Sequence, residues 1–235
     1  MKRSLTATAR TAALALCLLG ALPPAALAAG QSASAAEDFV IAPGSTPVIG
    51  HGGRLLRFRV AVERSIAEPT PAAFAADVMR ILGDPRSWTW GGKWRFQRVG
   101  AKGNADFTIY LATPVTRDRL CQEGYDRYTS CRDGDRVVIN IDRWRDGVPD
   151  YGAALAVYRE YVINHEVGHE LGYGHELCPG PGKLAPTMEQ QTLGLHGCIA
   201  NPWPYPDGSF YAGPPGVYHD PIPGVEQTKA GQSQG

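Results

Sequence analysis

The sequence predicts an α+β fold in which a mixed, twisted sheet carries two helices and is followed by an irregular C-terminal region. Three observations predict this fold. Segments with alternating apolar and polar residues recur along the chain, two segments have the apolar spacing of a helix, and the chain from Gly172 onward is dominated by Gly and Pro. The length of 235 residues fits one domain with tails.

The predicted elements follow the order strand, helix, three strands, helix. Four segments have strand patterns, at residues 56–62, 94–99, 107–111 and 136–141. A helix is predicted from Pro71 to Leu82, because Pro is favoured at a helix start and Gly83 at a helix end. A longer helix is predicted from Gly152 to Leu171. This order favours two helices on one face of the sheet, with the residues after the second helix forming a separate, smaller lobe.

Both ends of the chain are predicted to lie outside the folded domain, which we place at residues 51–220. Residues 1–28 combine a basic start, an apolar stretch too short for a comfortable membrane span, and the small-x-small sequence Ala26-Leu27-Ala28. This pattern is typical of a cleaved secretory signal peptide. Residues 29–50 resemble a flexible leader in composition, and residues 221–235 a disordered tail. We therefore expect a monomer that is secreted or held at the cell envelope.

The charge balance excludes two classes of partner. Lys and Arg together number 23, as do Asp and Glu, so the formal net charge is zero. Proteins that bind nucleic acid or an anionic membrane surface as their main partner have a basic excess. We therefore expect neither partner, and no stable membrane span.

The cysteine content predicts two disulfides in the exported protein. Removal of the signal peptide takes Cys17 away and leaves Cys121, Cys131, Cys178 and Cys198. An even number in an exported chain favours disulfides over free thiols. Three connectivities are possible, of which proximity in the sequence favours Cys121–Cys131 and Cys178–Cys198. The alternative, that some of them bind zinc, has no CxxC spacing to support it.

The segment from His165 to His175, HEVGHELGYGH, predicts a catalytic zinc site. His165 and His169 lie four residues apart on the predicted helix, so their imidazoles share one face and can bind the same ion. Glu166 lies beside them and can accept a proton from an activated water as general base. Gly172 is suited to end the helix, which lets the chain turn back and bring His175 in as third ligand. Three protein ligands leave a position for water, as catalytic Zn²⁺ sites do.

This segment resembles the metzincin zinc peptidases, and most closely their matrixin-like members. Metzincins carry a Met-turn beneath the zinc, and Met188 in Ala185-Pro-Thr-Met188 fits that role, although it could also be an ordinary core residue. The resemblance implies a zincin-like fold whose edge strand holds an extended peptide. Some metzincins place a tyrosine two residues after this Met, whereas this chain has Gln190.

Residues 58–204 also resemble a family of exported bacterial proteins of unknown function with metzincin-like character. Short segments such as Asp84-Pro-Arg-Ser-Trp88 and Asn201-Pro-Trp-Pro204 carry this second resemblance. It implies the same fold but no substrate.

Together these features predict a secreted zinc endopeptidase that acts on a peptide or protein substrate. Two alternatives remain open. One is a zinc amidase that acts on cell-envelope polymers, and the other is a non-catalytic extracellular module that zinc stabilises and that binds a partner. Glu166 favours a hydrolase over a binding module, since a structural zinc site needs no general base.

Overall fold

The strands of the computed structural model, which describes residues 38–224, form one six-stranded mixed sheet. The strands are β1 (Phe39–Ile41), β2 (Arg54–Glu63), β3 (Trp94–Arg98), β4 (Phe107–Ala112), β5 (Cys131–Asp133) and β6 (Arg136–Asn140). Their order is β1-β2-β4-β6-β5, and β3 pairs with the first half of β2. The pairs β2–β3, β2–β4 and β4–β6 are parallel, whereas β1 and β5 pair antiparallel at the two ends of the order. The short strand β5 is therefore an edge of the sheet.

Four helices occur in the described residues: α1 (Pro71–Leu82), α2 (Pro114–Cys121), α3 (Ile141–Asp146) and α4 (Leu155–Glu170). Helix α1 has the predicted bounds, because Thr70 accepts a hydrogen bond from the Ala73 amide and Pro71 fills the first turn. Helix α2 begins in the same way, with Thr113 as its cap and Pro114 after it. None of the four has the length and apolar composition that a membrane span requires.

The main core lies between the sheet and helices α1 and α4. Alternate residues of the central strands point to this face and are fully buried, as their period of two requires. The strand residues are Val60, Ile109, Leu111, Val137 and Ile139. The helix residues that cover them are Phe74, Val78, Ile81, Val162 and Ile163. The opposite face is covered by a smaller cluster that includes Leu120 of α2 and Val138 of β6. The α+β fold with a mixed sheet is confirmed.

The structure has two more helices and two more strands than the sequence predicts, and the helices are not confined to one face. Helix α2 packs in the cluster on the opposite face, and its sequence PVTRDRLC has no apolar stripe that would predict a helix. Strands β1 and β5 have three residues each, too few for a pattern. Helix α3 begins at Ile141, inside the predicted fourth strand, because the Asn140 side chain accepts from the Asp142 amide.

The folded part also begins earlier than the predicted boundary at residue 51. The composition of residues 38–50 predicts a flexible leader, but Phe39 is buried in β1 and Ile49 bridges to Phe96. The predicted signal peptide, residues 29–37 of the leader, and residues 225–235 lie outside the described residues.

Between the end of α4 and residue 224 the structure has no regular helix or strand, as predicted, but this segment is not a separate lobe. Met188 and Trp203 belong to the same buried cluster as α1 and α4. Inside this segment the Asn201 side chain donates to two backbone carbonyls and accepts from the Trp203 amide. Buried side-chain hydrogen bonds thus replace regular backbone pairing there.

Candidate metal centre

Helix α4 places the candidate site at its C-terminal end. Its residues Tyr158 to Gly168 are buried almost without exception, so packing holds the helix against the core. The helix ends in a Schellman motif: the Gly172 amide donates to the His169 carbonyl, and the Tyr173 amide donates to the Gly168 carbonyl. Gly172 has φ of +92°, a conformation that favours glycine. The chain therefore turns back, as predicted, and brings His175 to the helix.

The three predicted ligands lie together. The Nε2 atom of His169 is 3.1 Å from the Nε2 atom of His165 and 3.1 Å from the Nε2 atom of His175. Two nitrogens that bind one zinc ion tetrahedrally at about 2.05 Å lie about 3.3 Å apart. The observed separations fit a single ion held by all three imidazoles.

The hydrogen bonds of the rings fix which nitrogen faces the centre. Nδ1 of His165 lies 2.9 Å from the Thr187 carbonyl oxygen, and Nδ1 of His169 lies 2.9 Å from the Tyr173 carbonyl oxygen. A carbonyl only accepts, so each Nδ1 carries the proton and each Nε2 presents a lone pair. Lone pairs 3.1 Å apart repel unless a cation lies between them, so this arrangement fits a bound metal.

The histidines are also in the charge state that binds a metal. Burial, and then the neighbouring histidines, lower the pKa of His165 well below its ordinary value. Burial lowers the pKa of His169, and burial with the nearby His169 lowers the pKa of His175 to about 4. All three imidazoles are therefore neutral near pH 7, which is the form that donates to zinc.

Glu166 is buried beside this cluster with an unused carboxylate oxygen. Its side chain is 5% exposed, and within residues 38–224 its Oε2 atom has no hydrogen-bond partner. Burial raises the pKa of Glu166 to about 8, and the Arg117 guanidinium opposes that rise. A cation at the histidines would favour the charged form and lower this pKa again. Because leaving a buried acceptor unpaired costs free energy, the oxygen points to a partner supplied by a ligand.

Met188 lies under the helix between the two helical histidines. Its side chain is buried, and its sulfur and the Trp88 ring contact Gly168 so closely that a Cβ at Gly168 would overlap them. The Met188 carbonyl accepts from the Glu176 amide, one residue after His175. Met188 thus contacts helix α4 next to His169 and also the returning chain next to His175. The role of Thr187, whose carbonyl orients His165, carried no signal in the sequence because a backbone group performs it.

The four cysteines form the two disulfides that sequence proximity favours. Cys121 pairs with Cys131 and Cys178 pairs with Cys198, with Cα atoms 6.2 and 5.8 Å apart. The Glu189 carboxylate lies within 4.8 Å of the second pair of sulfurs, but those sulfurs are bonded to each other and do not serve as ligands. The first disulfide closes the loop 122–130 against the site.

Two cavities adjoin the histidines. One, of about 390 Å³, is lined by Glu166, His169 and His175 together with Arg132 of β5 and Glu123 of the disulfide loop. The other, of about 250 Å³, is lined by His165 and His175 with Glu123, Tyr161 and Gln190 among other residues. No local pattern in the sequence marks Arg132 or Glu123 as site residues, because only the sheet order and the disulfide bring them to the site.

The glutamines after Met188 are engaged in structural hydrogen bonds. Oε1 of Gln190 accepts from the Tyr218 amide, and the Gln191 amide donates to two carbonyls and accepts from the Tyr151 hydroxyl. The hydrogen-bonding groups of Gln191 are therefore used inside the fold, whereas Gln190 also lines the cavity at His165 and His175.

Comparison with known proteins gives a family but no activity. The sequence model of a family described as "Protein of unknown function (DUF3152)" matches residues 24–197, a range that includes the three histidines, Glu166 and Met188. Searches of the curated proteins and of the solved structures found no match.

Proposed function

The chain belongs to the DUF3152 family, and we propose that it is a zinc-dependent endopeptidase in which His165, His169 and His175 hold the metal. One observation carries the proposal. Three neutral imidazoles turn their Nε2 atoms to one point while a buried carboxylate with an unpaired oxygen lies beside them. A site that only stabilised the fold would gain nothing from that carboxylate, which costs free energy to bury.

A zinc ion held by His165, His169 and His175 would supply an acidified water and a polarised substrate carbonyl. In the proposed mechanism Glu166 accepts the proton of the attacking water at its carboxylate and later delivers that proton to the leaving amine. The Thr187 and Tyr173 carbonyls hold the His165 and His169 rings in the tautomer that the ligand set needs.

A peptide substrate is supported by the position of β5. Within the described residues no strand pairs with the outer edge of β5, and its residues Cys131 and Arg132 line the same cavity as Glu166 and His169. An extended peptide can add to such an edge through backbone hydrogen bonds, which places one of its carbonyls at the metal. This argument favours a peptidase over an amidase for cell-envelope polymers.

We extend the proposal to a metzincin-like site in an exported protein. The Schellman turn at Gly172, the return of His175 and the buried Met188 against Gly168 support the first part. The two disulfides support export, because disulfides persist in oxidising compartments. Identification of the mature N-terminus by mass spectrometry would test whether residues 1–28 are removed.

The experiment combines metal analysis with cleavage of a peptide library by the full chain. We expect one zinc per chain, and loss of turnover in Glu166→Gln by about 10²- to 10⁴-fold with zinc retained, since that is the usual contribution of a general base. Glu170→Gln is the matched control. Glu170 lies one turn later on α4 and pairs with Arg132, so this variant should keep zinc and most activity.

Two results would count against the proposal. If Glu166→Gln cleaved peptides at the wild-type rate, Glu166 would not be the general base. If the chain bound zinc and unfolded on chelation but cleaved no library peptide, the non-catalytic binding module would be the better interpretation.

A further inference from the structure

A third cavity, of about 440 Å³, lies next to the metal centre but contains none of its ligands. It is lined by Arg143 of α3, by Tyr128 of the disulfide loop, and by Tyr151, Leu195 and Pro223, among other residues. Thr192 and Leu193 line both this cavity and the 250 Å³ cavity that reaches His165 and His175. A ligand that passes the metal centre on that side therefore has this cavity within reach.

No carboxylate of the described residues forms an ion pair with the guanidinium of Arg143. Its Nε and Nη1 atoms are shielded from solvent, and among residues 38–224 they have no hydrogen-bond partner and form no ion pair. Its closest partner is the Tyr128 ring, whose centroid lies 4.0 Å from the guanidinium carbon. A cation–π contact offsets part of the cost of burial, but it leaves the hydrogen-bond donors unpaired.

Other arginines with a shielded, unpaired nitrogen differ from Arg143. Each of them places a second guanidinium nitrogen on a backbone carbonyl or a carboxylate: Arg59 on Gly103, Arg98 on Ala42, Pro43 and Gly44, and Arg136 on Asp133. Arg143 makes no such bond to a described residue. Among these four arginines, Arg143 is therefore the one whose guanidinium would gain most from a partner outside the described residues.

The other polar groups of the cavity leave the charge of Arg143 unopposed. The Tyr151 hydroxyl donates to Gln191, and the Gln191 amide is fully used by backbone carbonyls. Asp150 also lines the cavity, but it is exposed and forms no ion pair with Arg143. The cavity thus offers one planar cation in walls of mixed polarity, where Asp150 is the one carboxylate among the described lining residues.

We propose that this cavity binds a carboxylate through Arg143, and that in the working enzyme the carboxylate belongs to the substrate beyond the cleaved bond. Nε and Nη1 are shielded, which leaves Nη2 to meet a ligand in the cavity. A carboxylate bonded there gains a charge-assisted hydrogen bond, and stacking on Tyr128 holds the guanidinium in place. The anion site rests on the cavity and Arg143 alone, whereas the assignment of its ligand to the substrate rests on the proposed peptidase function.

The chain itself could supply the same chemical group. Pro223 lines the cavity, and the sequence continues with Glu226 three residues later. A substrate carboxylate and the Glu226 carboxylate are the two sources, and Glu226→Gln in the full chain separates them.

The test uses two peptides that differ only in one residue on the amine side of the scissile bond, Ala-Ala-Glu-Ala and Ala-Ala-Gln-Ala. Both have an acetylated N-terminus and an amidated C-terminus, so that the Glu side chain is their one carboxylate. Binding is measured by calorimetry on zinc-loaded Glu166→Gln, and cleavage on the zinc-loaded chain with the native Glu166. We expect a 10- to 100-fold preference for the Glu peptide, the usual range for a charge-assisted pair. Arg143→Gln should abolish the preference. Arg145→Gln on the same helix should keep it, because Arg145 is exposed and bonds to the Glu68 carbonyl.

Arg143→Lys guards against a folding defect, since it keeps the charge but loses the planar group that stacks on Tyr128. Its preference should fall several-fold at an unchanged melting temperature. If the preference appears only after Glu226→Gln, the carboxylate site stands and the chain supplies its resident ligand. Equal binding of both peptides with and without Glu226 would overturn the proposal. Selective binding without cleavage would instead refute the peptidase function, and cleavage without selectivity would refute only the anion site.

Discussion

Gly168 offers a test of how tightly the metal centre is built. In most helices a Gly→Ala change in the interior stabilises the protein by about 1 kcal/mol, because Ala restricts the unfolded chain and favours the helix. At Gly168 an added Cβ would lie 2.8 Å from Cζ2 of Trp88 and closer still to the sulfur of Met188. Both neighbours are 1% exposed, so neither side chain can move into solvent.

The gain in helix propensity and the cost of overpacking oppose each other. Their magnitudes decide whether Gly168→Ala raises or lowers the free energy of unfolding. Overpacking of a buried site costs about 1–3 kcal/mol, and two simultaneous overlaps place Gly168→Ala in the upper half of that range. Subtracting the helix-propensity gain leaves a net loss of about 1–2 kcal/mol. For a domain of this size, that loss corresponds to a fall of about 2–8 °C in melting temperature. Displacement of Met188 should also disturb the adjacent Thr187 carbonyl that orients His165, so zinc affinity should fall as well.

The assay is urea unfolding of the zinc-free chain, followed by a zinc titration of the same variant. Gly174→Ala is the matched control, since a Cβ there meets no atom within 4 Å although it lies beside His175. The control should unfold as the wild type does. Wild-type or greater stability of Gly168→Ala would refute the claim that Met188 and Trp88 close tightly on the helix.

The remaining predictions concern pH and one disulfide. Burial raises the pKa of Glu166 from 4.5 to about 8, so the folded zinc-free chain holds this proton more tightly than the unfolded chain, and the resulting stability is lost as the pH rises through 4.5–8. The lowered pKa values of the three histidines act in the opposite direction, but they do so in both proteins. Between pH 5 and pH 8, in chelator, the unfolding free energy of the wild type should therefore decline relative to that of Glu166→Gln; parallel pH profiles would contradict this. The double variant Cys121→Ser/Cys131→Ser, which opens a loop with a sequence separation of 10, should lose about 2–3 kcal/mol in the same assay. An unchanged midpoint would show that the loop is held without the disulfide.

The parts of the site that the sequence predicts are those governed by local geometry. The four-residue spacing of His165 and His169 sets their common face, and Gly172 supplies the left-handed residue at which the chain returns to His175. Helix α1 has its predicted bounds for a similar reason, since Thr70 and Pro71 act within one turn. These features require no knowledge of distant residues.

The parts that the sequence does not predict depend on distant contacts. The polar helix α2 contains Arg117, which is buried among carboxylates that include Asp118 and Asp126, and no periodic pattern reveals such a network. The edge strand β5 is defined only by its pairing with β6. Composition gave the wrong interpretation of residues 38–50, because a few buried side chains such as Phe39 outweigh many small and flexible ones.

Because backbone carbonyls accept the hydrogen bonds of His165 and His169, different groups orient the imidazole rings and line the cavities. The carbonyls that fix these rings belong to Thr187 and Tyr173, so their hold on the rings does not depend on side-chain identity at either position. The walls that meet a substrate are made by other side chains, among them Glu123, Arg132 and Arg143. If the proposed function is correct, substitutions in those walls will change the substrate preference while the orientation of His165 and His169 stays constant. An engineer who seeks a new substrate preference would vary the walls first and leave the backbone turns at 172 and 187 untouched.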